Sequence, residues 1–378
     1  MTLSTFINVK ISGIKTVVPE NCINIDDEIE YYNNDEKLLQ RNKKILGLGT
    51  RYVADENVCL SDLCEDAANR LINDLNIKKE SIDTLIVAST SHDYHYPATA
   101  CIMQDRLGLS EECACFDISG LACSAYVYAL WNASSLIASG ASKKCLVLVG
   151  DIVSRHSDRM NRNSNMLFGD AGTATILEYD ENSMPSYFYL GTRGKDFDKI
   201  IAPAGGYKLP IQKDIINIEE RDERDNVWHL WDDIMRGMDV FKFTMEVGPK
   251  GIENILDYSG TSLENIDFVA MHQANKQIVE NVAKLARIPK DKYSSETFTK
   301  YANCGAGAIV TNICDQLNNR QHERVVLASF GVGLSYAFAN LNLKDTNISN
   351  VEIYKKPAVM PTRQEQIDYW IKFFKGEV

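Results

Sequence analysis

Three side chains that could form a nucleophilic site stand at the borders of buried apolar segments. Cys123 follows a strand-like segment and opens the apolar helix from Ala125 to Leu130. His272 follows a second such strand, and Asn303 precedes a second apolar helix. A cysteine at a helix start is expected to have a lowered pKa, because the helix dipole favours its thiolate. The pattern predicts a nucleophilic thiol faced by two polar groups.

Each of these residues also has an ordinary structural explanation. Cys123 could be a small buried hydrophobe, as most free cysteines are. His272 could be a hydrogen-bonded core histidine, Asn303 a helix cap, and Gly331-Val332-Gly333 only a tight turn. Together they favour a site, since MHQAN and YANCGAG both interrupt buried segments with polar groups.

The second half of the chain repeats the first. Three pairs of similar segments lie about 180 residues apart and in the same order. The pairs are 82–91 with 266–275, 122–136 with 303–317, and the strand that begins near Lys143 with 323–338. This order predicts two duplicated halves related by a pseudo-twofold axis, with a site where strand ends of both halves meet.

Alternating helices and near-continuous apolar strands predict a layered α/β fold. We expect a first half over 1–180 that carries the cysteine, and a second half over 181–345 that carries the histidine and asparagine. Residues 346–378 form a C-terminal extension. Its last helix should pack an apolar face against the body or a partner subunit. That face comprises Ile367, Trp370, Ile371 and Phe374.

Composition excludes several classes of function. The net charge of −12 over 378 residues argues against a nucleic-acid partner. No apolar segment has the length of a membrane span, and the N-terminus lacks signal-peptide character, so we expect a cytoplasmic protein without membrane contact. The ten cysteines have neither disulfide-framework nor zinc-ligand spacing, which predicts reduced thiols and no metal. The charged run 219–225 is interpreted as a solvated cover segment.

The chain resembles the β-ketoacyl-acyl-carrier-protein synthase III condensing enzymes of the thiolase superfamily. The resemblance is spread over residues 6–342, and its most specific segments are HQAN, FGDAG and the region of Cys123. Further matching segments are TSHDYHYPATA, MRGMDVFKF, YANCGAGA and SFGVGLSYAF. The resemblance implies a thiolase-like αβαβα fold built from two duplicated halves, and a homodimer.

The resemblance also implies an activity. Cys123 would take an acyl group from an acyl thioester, and His272 and Asn303 would bind the carbonyl of a malonyl-type thioester, with malonyl-ACP the expected extender. Decarboxylative Claisen condensation would follow, with the backbone N–H groups of Cys123 and Val332 as the oxyanion hole. Coenzyme A and phosphopantetheine thioesters would be substrates, acyl carrier protein a partner, and no cofactor would be required.

Residues outside this group carry weaker expectations. Arg162, Lys242 and Asn275 match positions associated with the family's pantetheine-nucleotide channel. Tyr96 matches an aromatic residue that lines the partner subunit's acyl pocket.

Some positions depart from the family pattern. The gap from Asp117 to Cys123 is one residue longer than usual, and Arg41 and Ile45 replace a tryptophan and an arginine. Gln277 stands where a basic residue often helps to dock the carrier protein. We therefore expect acyl-donor recognition to differ from that of the housekeeping enzyme.

Other functions remain open from the sequence. An enzyme of the same fold could pass the acyl group from Cys123 to an alcohol or amine without condensation. A non-catalytic partner subunit has no physical reason to keep all three polar groups, and an unrelated cysteine hydrolase leaves the duplication unexplained. Release of CO₂ from a malonyl thioester distinguishes condensation from plain acyl transfer.

Overall fold

A computed structural model describes residues 2–318 and 322–378. Its strands are β1 (Thr2–Phe6), β2 (Val9–Val18), β3 (Cys22–Asn24), β4 (Thr50–Tyr52), β5 (Thr84–Ser89), β6 (Ala114–Ser119), β7 (Lys144–Asp151), β8 (Ala171–Tyr179), β9 (Ser186–Thr192), β10 (Ile200–Ile201), β11 (Glu219–Arg221), β12 (Val227–His229), β13 (Ile234–Met235), β14 (Phe268–Met271), β15 (Arg324–Gly331), β16 (Ser335–Asn342), β17 (Asn347–Ile348) and β18 (Glu352–Ile353). Its helices are α1 (Glu36–Leu46), α2 (Leu60–Asp74), α3 (Thr99–Arg106), α4 (Ala125–Ala138), α5 (Lys213–Ile216), α6 (Gly237–Ser259), α7 (Lys276–Leu285), α8 (Glu296–Tyr301), α9 (Ala308–Leu317) and α10 (Arg363–Lys375).

Two mixed sheets repeat one arrangement of strands. The first sheet has the order β17-β2-β8-β7-β5-β6, with β18 also paired to β2, and the second has the order β1-β9-β16-β15-β14. In the first sheet β5 and β7 are parallel, and β7, β8 and β2 are successively antiparallel. In the second, β14 and β15 are parallel, and β15, β16 and β9 are successively antiparallel. This correspondence confirms the duplication predicted from the sequence.

The layers alternate between helices and sheets. α4 and α9 lie between the two sheets, and their apolar side chains share one core with both. α2 and α3 cover the outer face of the first sheet, while α6 and α7 cover that of the second. The αβαβα arrangement of the resemblance is therefore confirmed. The apolar segment after Cys123 is buried, as a helix without a polar face should be.

The chain ends cross between the halves. β1 pairs with β9 in the second sheet, whereas β17 and β18 of the extension pair with β2 in the first. Lys15 on β2 anchors the extension, since its buried ammonium lies 2.5 Å from Glu352 and 2.7 Å from Asp74. A buried charge is tolerated only when it is paired in this way.

The last helix stands apart from the layers. Every residue of α10 is exposed, and the helix begins in a capping box formed by Thr362 and Glu365. Trp370 makes an edge-to-face contact with Tyr94, at 6.0 Å between ring centroids. The predicted apolar face is not buried against the described body of the chain, and its packing against a partner subunit stays a prediction. Across the described ranges, no helix combines the length and the apolar character needed to cross a bilayer.

Candidate active site

Cys123 lies in one 3-10 turn between the end of β6 and the start of α4. The preceding Ala122 has a φ of 41°, a left-handed conformation that costs an alanine free energy. The surrounding structure therefore imposes the path of the chain at this point. Cys123 lines a cavity of about 740 Å³, a volume typical of small-molecule sites.

His272 follows β14 and lines the same cavity. Only 2 % of the residue is exposed, and its backbone N–H donates to the carbonyl of Ala328 at 2.9 Å. Its ring Nδ1 has no hydrogen-bond partner among the described residues. A buried polar atom without a partner is uncommon in a folded protein.

Asn303 reaches the cavity from the loop before α9. Its backbone is held by Leu167, which accepts its N–H at 2.9 Å, and by Gly169, whose N–H it accepts at 3.1 Å. The side-chain oxygen accepts the N–H of Gly305 at 3.1 Å, and the side chain lowers the pKa of the Cys123 thiol in part. The structure thus brings Cys123, His272 and Asn303 together, with elements of both halves.

Burial decides the protonation of the site. It raises the pKa of the Cys123 thiol to about 12, with a further rise from the negative charge of Asp151 and a partial reduction by the hydrogen bond from Asn303. The prediction that the helix start lowers this pKa is wrong, because loss of hydration outweighs the helix dipole here. Burial also lowers the pKa of His272 to about 3. At neutral pH the pair is therefore a thiol and a neutral imidazole.

In each half, the end of one central strand contacts the helix start of the other half. β15 ends at Gly331, where an added Cβ would lie 3.0 Å from the Cβ of Cys123. β7 ends at Asp151, whose Oδ2 accepts the N–H of Ala306 at 2.8 Å. An added Cβ on Gly305 would meet that same oxygen at 2.4 Å. These crossed contacts fix the two helix starts relative to each other.

The turn that carries Val332 is tied to the nucleophile. Val332 lines the cavity, and its carbonyl accepts a hydrogen bond from the Ser335 hydroxyl at 2.7 Å. That hydroxyl lies 2.5 Å from the hydroxyl of Ser124, the residue after Cys123. The hydroxyl pair holds the Val332 turn against the Cys123 turn. An oxyanion-hole role for the two backbone N–H groups stays a prediction.

The residues expected to bind substrate are placed differently from one another. Arg162 and Asn275 line the cavity, but Lys242 and Tyr96 are not among the described residues that do. Arg162 is buried and donates from Nε to the side-chain oxygen of Asn226 at 2.8 Å, so much of its hydrogen-bonding capacity is used within the chain. Asn275 caps α7, and Tyr96 is 80 % exposed.

Sequence reasoning missed four ionisable groups in the cavity wall. The position of Asp151 could have been recognised from the sequence, because Asp151 is the polar residue that ends a buried strand, as His272 follows one. His156 and Asp233 also line the cavity, and both lie in irregular segments without such a signal. The charged run 219–225 is largely exposed, as predicted, but Arg224 near its end lines the cavity.

Two protein-family models match the chain, one after the other along the sequence. Residues 116–194 match the model of 3-oxoacyl-[acyl-carrier-protein] synthase III, and residues 256–343 match the model of its C-terminal part. The first match contains Cys123, and the second contains His272 and Asn303.

Individual relatives agree with these matches. A Campylobacter jejuni protein named as a 3-oxoacyl-[acyl-carrier-protein] synthase 3 is 40 % identical over 352 residues, which cover 93 % of this chain and 98 % of that protein. A β-ketoacyl-[acyl-carrier-protein] synthase III of Fusobacterium nucleatum is 32 % identical over 87 % of this chain and 97 % of its own length. The crystal structure of a 3-oxoacyl-(acyl-carrier protein) synthase from Burkholderia xenovorans superposes with a TM-score of 0.85 at 31 % identity, covering 93 % of this chain and 99 % of that one.

Proposed function

We propose, for a chain that belongs to the 3-oxoacyl-[acyl-carrier-protein] synthase III family, that Cys123 carries the acyl group in a decarboxylative condensation. The observation that carries this proposal is the meeting of Cys123, His272 and Asn303 in one cavity built by both halves. The family membership makes the protein a condensing enzyme of the transferase class. The roles of individual residues, the acyltransferase half-reaction and the partners are the proposed part.

The first step is thioester exchange. The sulfur of Cys123 attacks the carbonyl carbon of an acyl thioester, the bond to the leaving sulfur breaks, and the Cys123 proton passes to the leaving thiolate. Because the pKa of the buried thiol is about 12, proton loss accompanies attack and is not complete beforehand. One thioester replaces another, so a difficult condensation is divided into two easier steps through a covalent intermediate.

The second step makes the carbon–carbon bond. The bond between the malonyl carboxylate and Cα breaks, CO₂ leaves, and the electron pair forms an enolate on the remaining thioester. The neutral imidazole of His272 donates one N–H and the amide of Asn303 donates another to the enolate oxygen. The enolate carbon then attacks the acyl carbonyl, the bond from that carbon to the Cys123 sulfur breaks, and the Cys123 thiolate takes up a proton from water.

Charge on the tetrahedral intermediate would be held by the backbone N–H groups of Cys123 and Val332. Removing one donor of this kind typically costs about 3–4 kcal/mol of barrier. No cofactor enters either step, since decarboxylation itself supplies the carbanion. This cofactor-free mechanism belongs to the proposal.

We further propose acyl-coenzyme A and malonyl-ACP as the substrates, since the relatives' names contain the acyl carrier protein. Arg162 and Asn275 would contact the pantetheine arm inside the cavity, while the exposed Lys242 would serve outside its lining. Tyr96 would contribute to the acyl pocket of a second subunit in a homodimer, which fits its 80 % exposure here.

Intact-protein mass spectrometry with a panel of acyl-coenzyme A thioesters tests the proposal. We expect an acyl adduct on the wild type that maps to Cys123, is missing from Cys123→Ala, and is discharged by malonyl-ACP. Discharge only by an alcohol or an amine would instead establish plain acyl transfer. The absence of an adduct with every donor would refute the covalent role of Cys123.

A further inference from the structure

Two ionisable side chains line the cavity that Cys123 also lines, and they have no part in the condensation described above. His156 follows β7, and Asp233 precedes α6; both line the cavity with Cys123. Their Nδ1 and Oδ1 atoms are 3.7 Å apart, and their side chains are 38 % and 28 % exposed. This separation is too long for a hydrogen bond between them.

The carboxylate of Asp233 accepts no direct hydrogen bond from the residues that the structure describes, and His156 is its ionic neighbour. The adjacent Asp232 differs, because it accepts the backbone N–H of His229 at 2.8 Å. Burial raises the pKa of Asp233, and the negative charge of Asp233 is one of the smaller causes that raise the pKa of Cys123. An apolar acyl chain at this place would cover the carboxylate and supply no bond in return.

The distance between His156 Nδ1 and Asp233 Oδ1 allows one oxygen atom to hydrogen-bond to both. Two atoms 3.7 Å apart can both lie about 2.8 Å from a single oxygen placed to one side of the line between them. A hydroxyl group can donate to Asp233 and accept from an Nδ1–H of His156 at once. An ammonium group can also donate to Asp233, but it can bond to His156 only where Nδ1 carries no proton.

We propose that the cavity selects a hydroxyacyl thioester, whose hydroxyl binds between Asp233 and His156 while its carbonyl is attached to Cys123. This inference rests on the proposed acylation of Cys123. It deepens that proposal by naming the class of acyl donor. Asp233 and His156 then act as residues that determine specificity, and they take no covalent part.

Loading rates on matched thioesters test the proposal. The wild type, Asp233→Leu and Asp233→Asn are mixed with butyryl-, 2-hydroxybutyryl-, 3-hydroxybutyryl- or 3-aminobutyryl-coenzyme A, and the adduct is followed by intact mass. Asp257→Asn, an exposed aspartate on α6 outside the cavity, is the control. Thermal melting of each variant shows whether it is folded.

We expect at least one hydroxybutyryl donor to load the wild type about tenfold or more faster than butyryl, the value of a hydrogen bond to a charged group. Asp233→Leu should remove or invert this ratio, and Asp257→Asn should leave it unchanged. A defect in folding lowers all rates together and does not move the ratio.

Four outcomes would overturn the inference. If butyryl loads the wild type as fast as both hydroxybutyryl donors, the cavity does not select a hydroxyl while the proposed function stands. If the amino donor is the preferred one, the ligand is an ammonium and the bridging hydroxyl is wrong. If Asp233→Leu keeps the wild-type melting temperature but slows every donor and the condensation equally, Asp233 does not select the donor; if no donor loads the wild type at all, the proposed function fails as well.

Discussion

Gly331→Ala should displace the nucleophile without unfolding the protein. The added Cβ would lie 3.0 Å from the Cβ of Cys123, and 3.2 Å from both its nitrogen and the carbonyl oxygen of Leu121. Carbon contacts of this kind are comfortable at about 3.5–4.0 Å, so the Cys123 turn must retreat by several tenths of an ångström. Two of the three obstructing atoms belong to the backbone, which cannot rotate away.

The size of the effect follows from that displacement. Overpacking of a buried site costs about 1–3 kcal/mol of stability, and we expect the lower end because one methyl group is added. A displacement of about 1 Å can cost a factor of about 100 in rate, so a smaller shift should slow acylation of Cys123 about tenfold. The acylation rate is measured by intact mass, and the free energy of unfolding by urea denaturation.

Gly307→Ala is the matched control. Gly307 occupies the corresponding helix start of the second half, and a Cβ there would meet Thr173 at 3.4 Å and Ala171 at 3.6 Å, which are ordinary contacts. We expect it to load at close to the wild-type rate. Acylation of the Gly331→Ala variant at the wild-type rate, or an equal loss of acylation rate in both variants, would refute the reasoning.

Three further predictions concern the charges of the site. Because the pKa of Cys123 is about 12, its alkylation by iodoacetamide should rise about tenfold per pH unit from pH 7 to 10; a plateau near neutral pH would show a thiolate–imidazolium pair instead. His272→Ala should retain acylation but slow decarboxylation of the malonyl thioester about 100- to 1000-fold, as the loss of one oxyanion donor does; equal loss in both half-reactions would contradict this role. Asp151→Asn should lower the free energy of unfolding by about 1–3 kcal/mol, because an amide nitrogen cannot accept from Ala306 or Ser89; an unchanged urea midpoint would refute that view of the crossed contacts.

The architecture could be predicted because the information for it is local and repeated. β5 and β14 each read as a short apolar strand, and α4 and α9 each read as an apolar helix after small residues. The crossing of the chain ends could not be predicted. The pairing of β1 with β9, and of β17 with β2, joins distant segments, and the local sequence of each segment does not indicate which strand it will pair with.

The candidate site, too, could be predicted only in part. Cys123, His272 and Asn303 could be found because each interrupts or borders an apolar run. The pKa of Cys123 could not be predicted, since it depends on how much water the folded protein leaves around the sulfur. His156 and Asp233 were missed because their proximity arises from two irregular segments 77 positions apart, which only the folded chain brings together.

The central claim is that acyl-Cys123 is condensed with the carbanion left by decarboxylation. Its most direct test is a single turnover of isolated acyl-enzyme with malonyl-ACP labelled with ¹³C in its free carboxylate, following CO₂ and β-ketoacyl product together by mass spectrometry. The account predicts that labelled CO₂ and product appear in equal amounts, that the label is missing from the product, and that no β-ketoacyl product forms with Cys123→Ala. Discharge of the acyl group without CO₂, or product formed by Cys123→Ala, would contradict it.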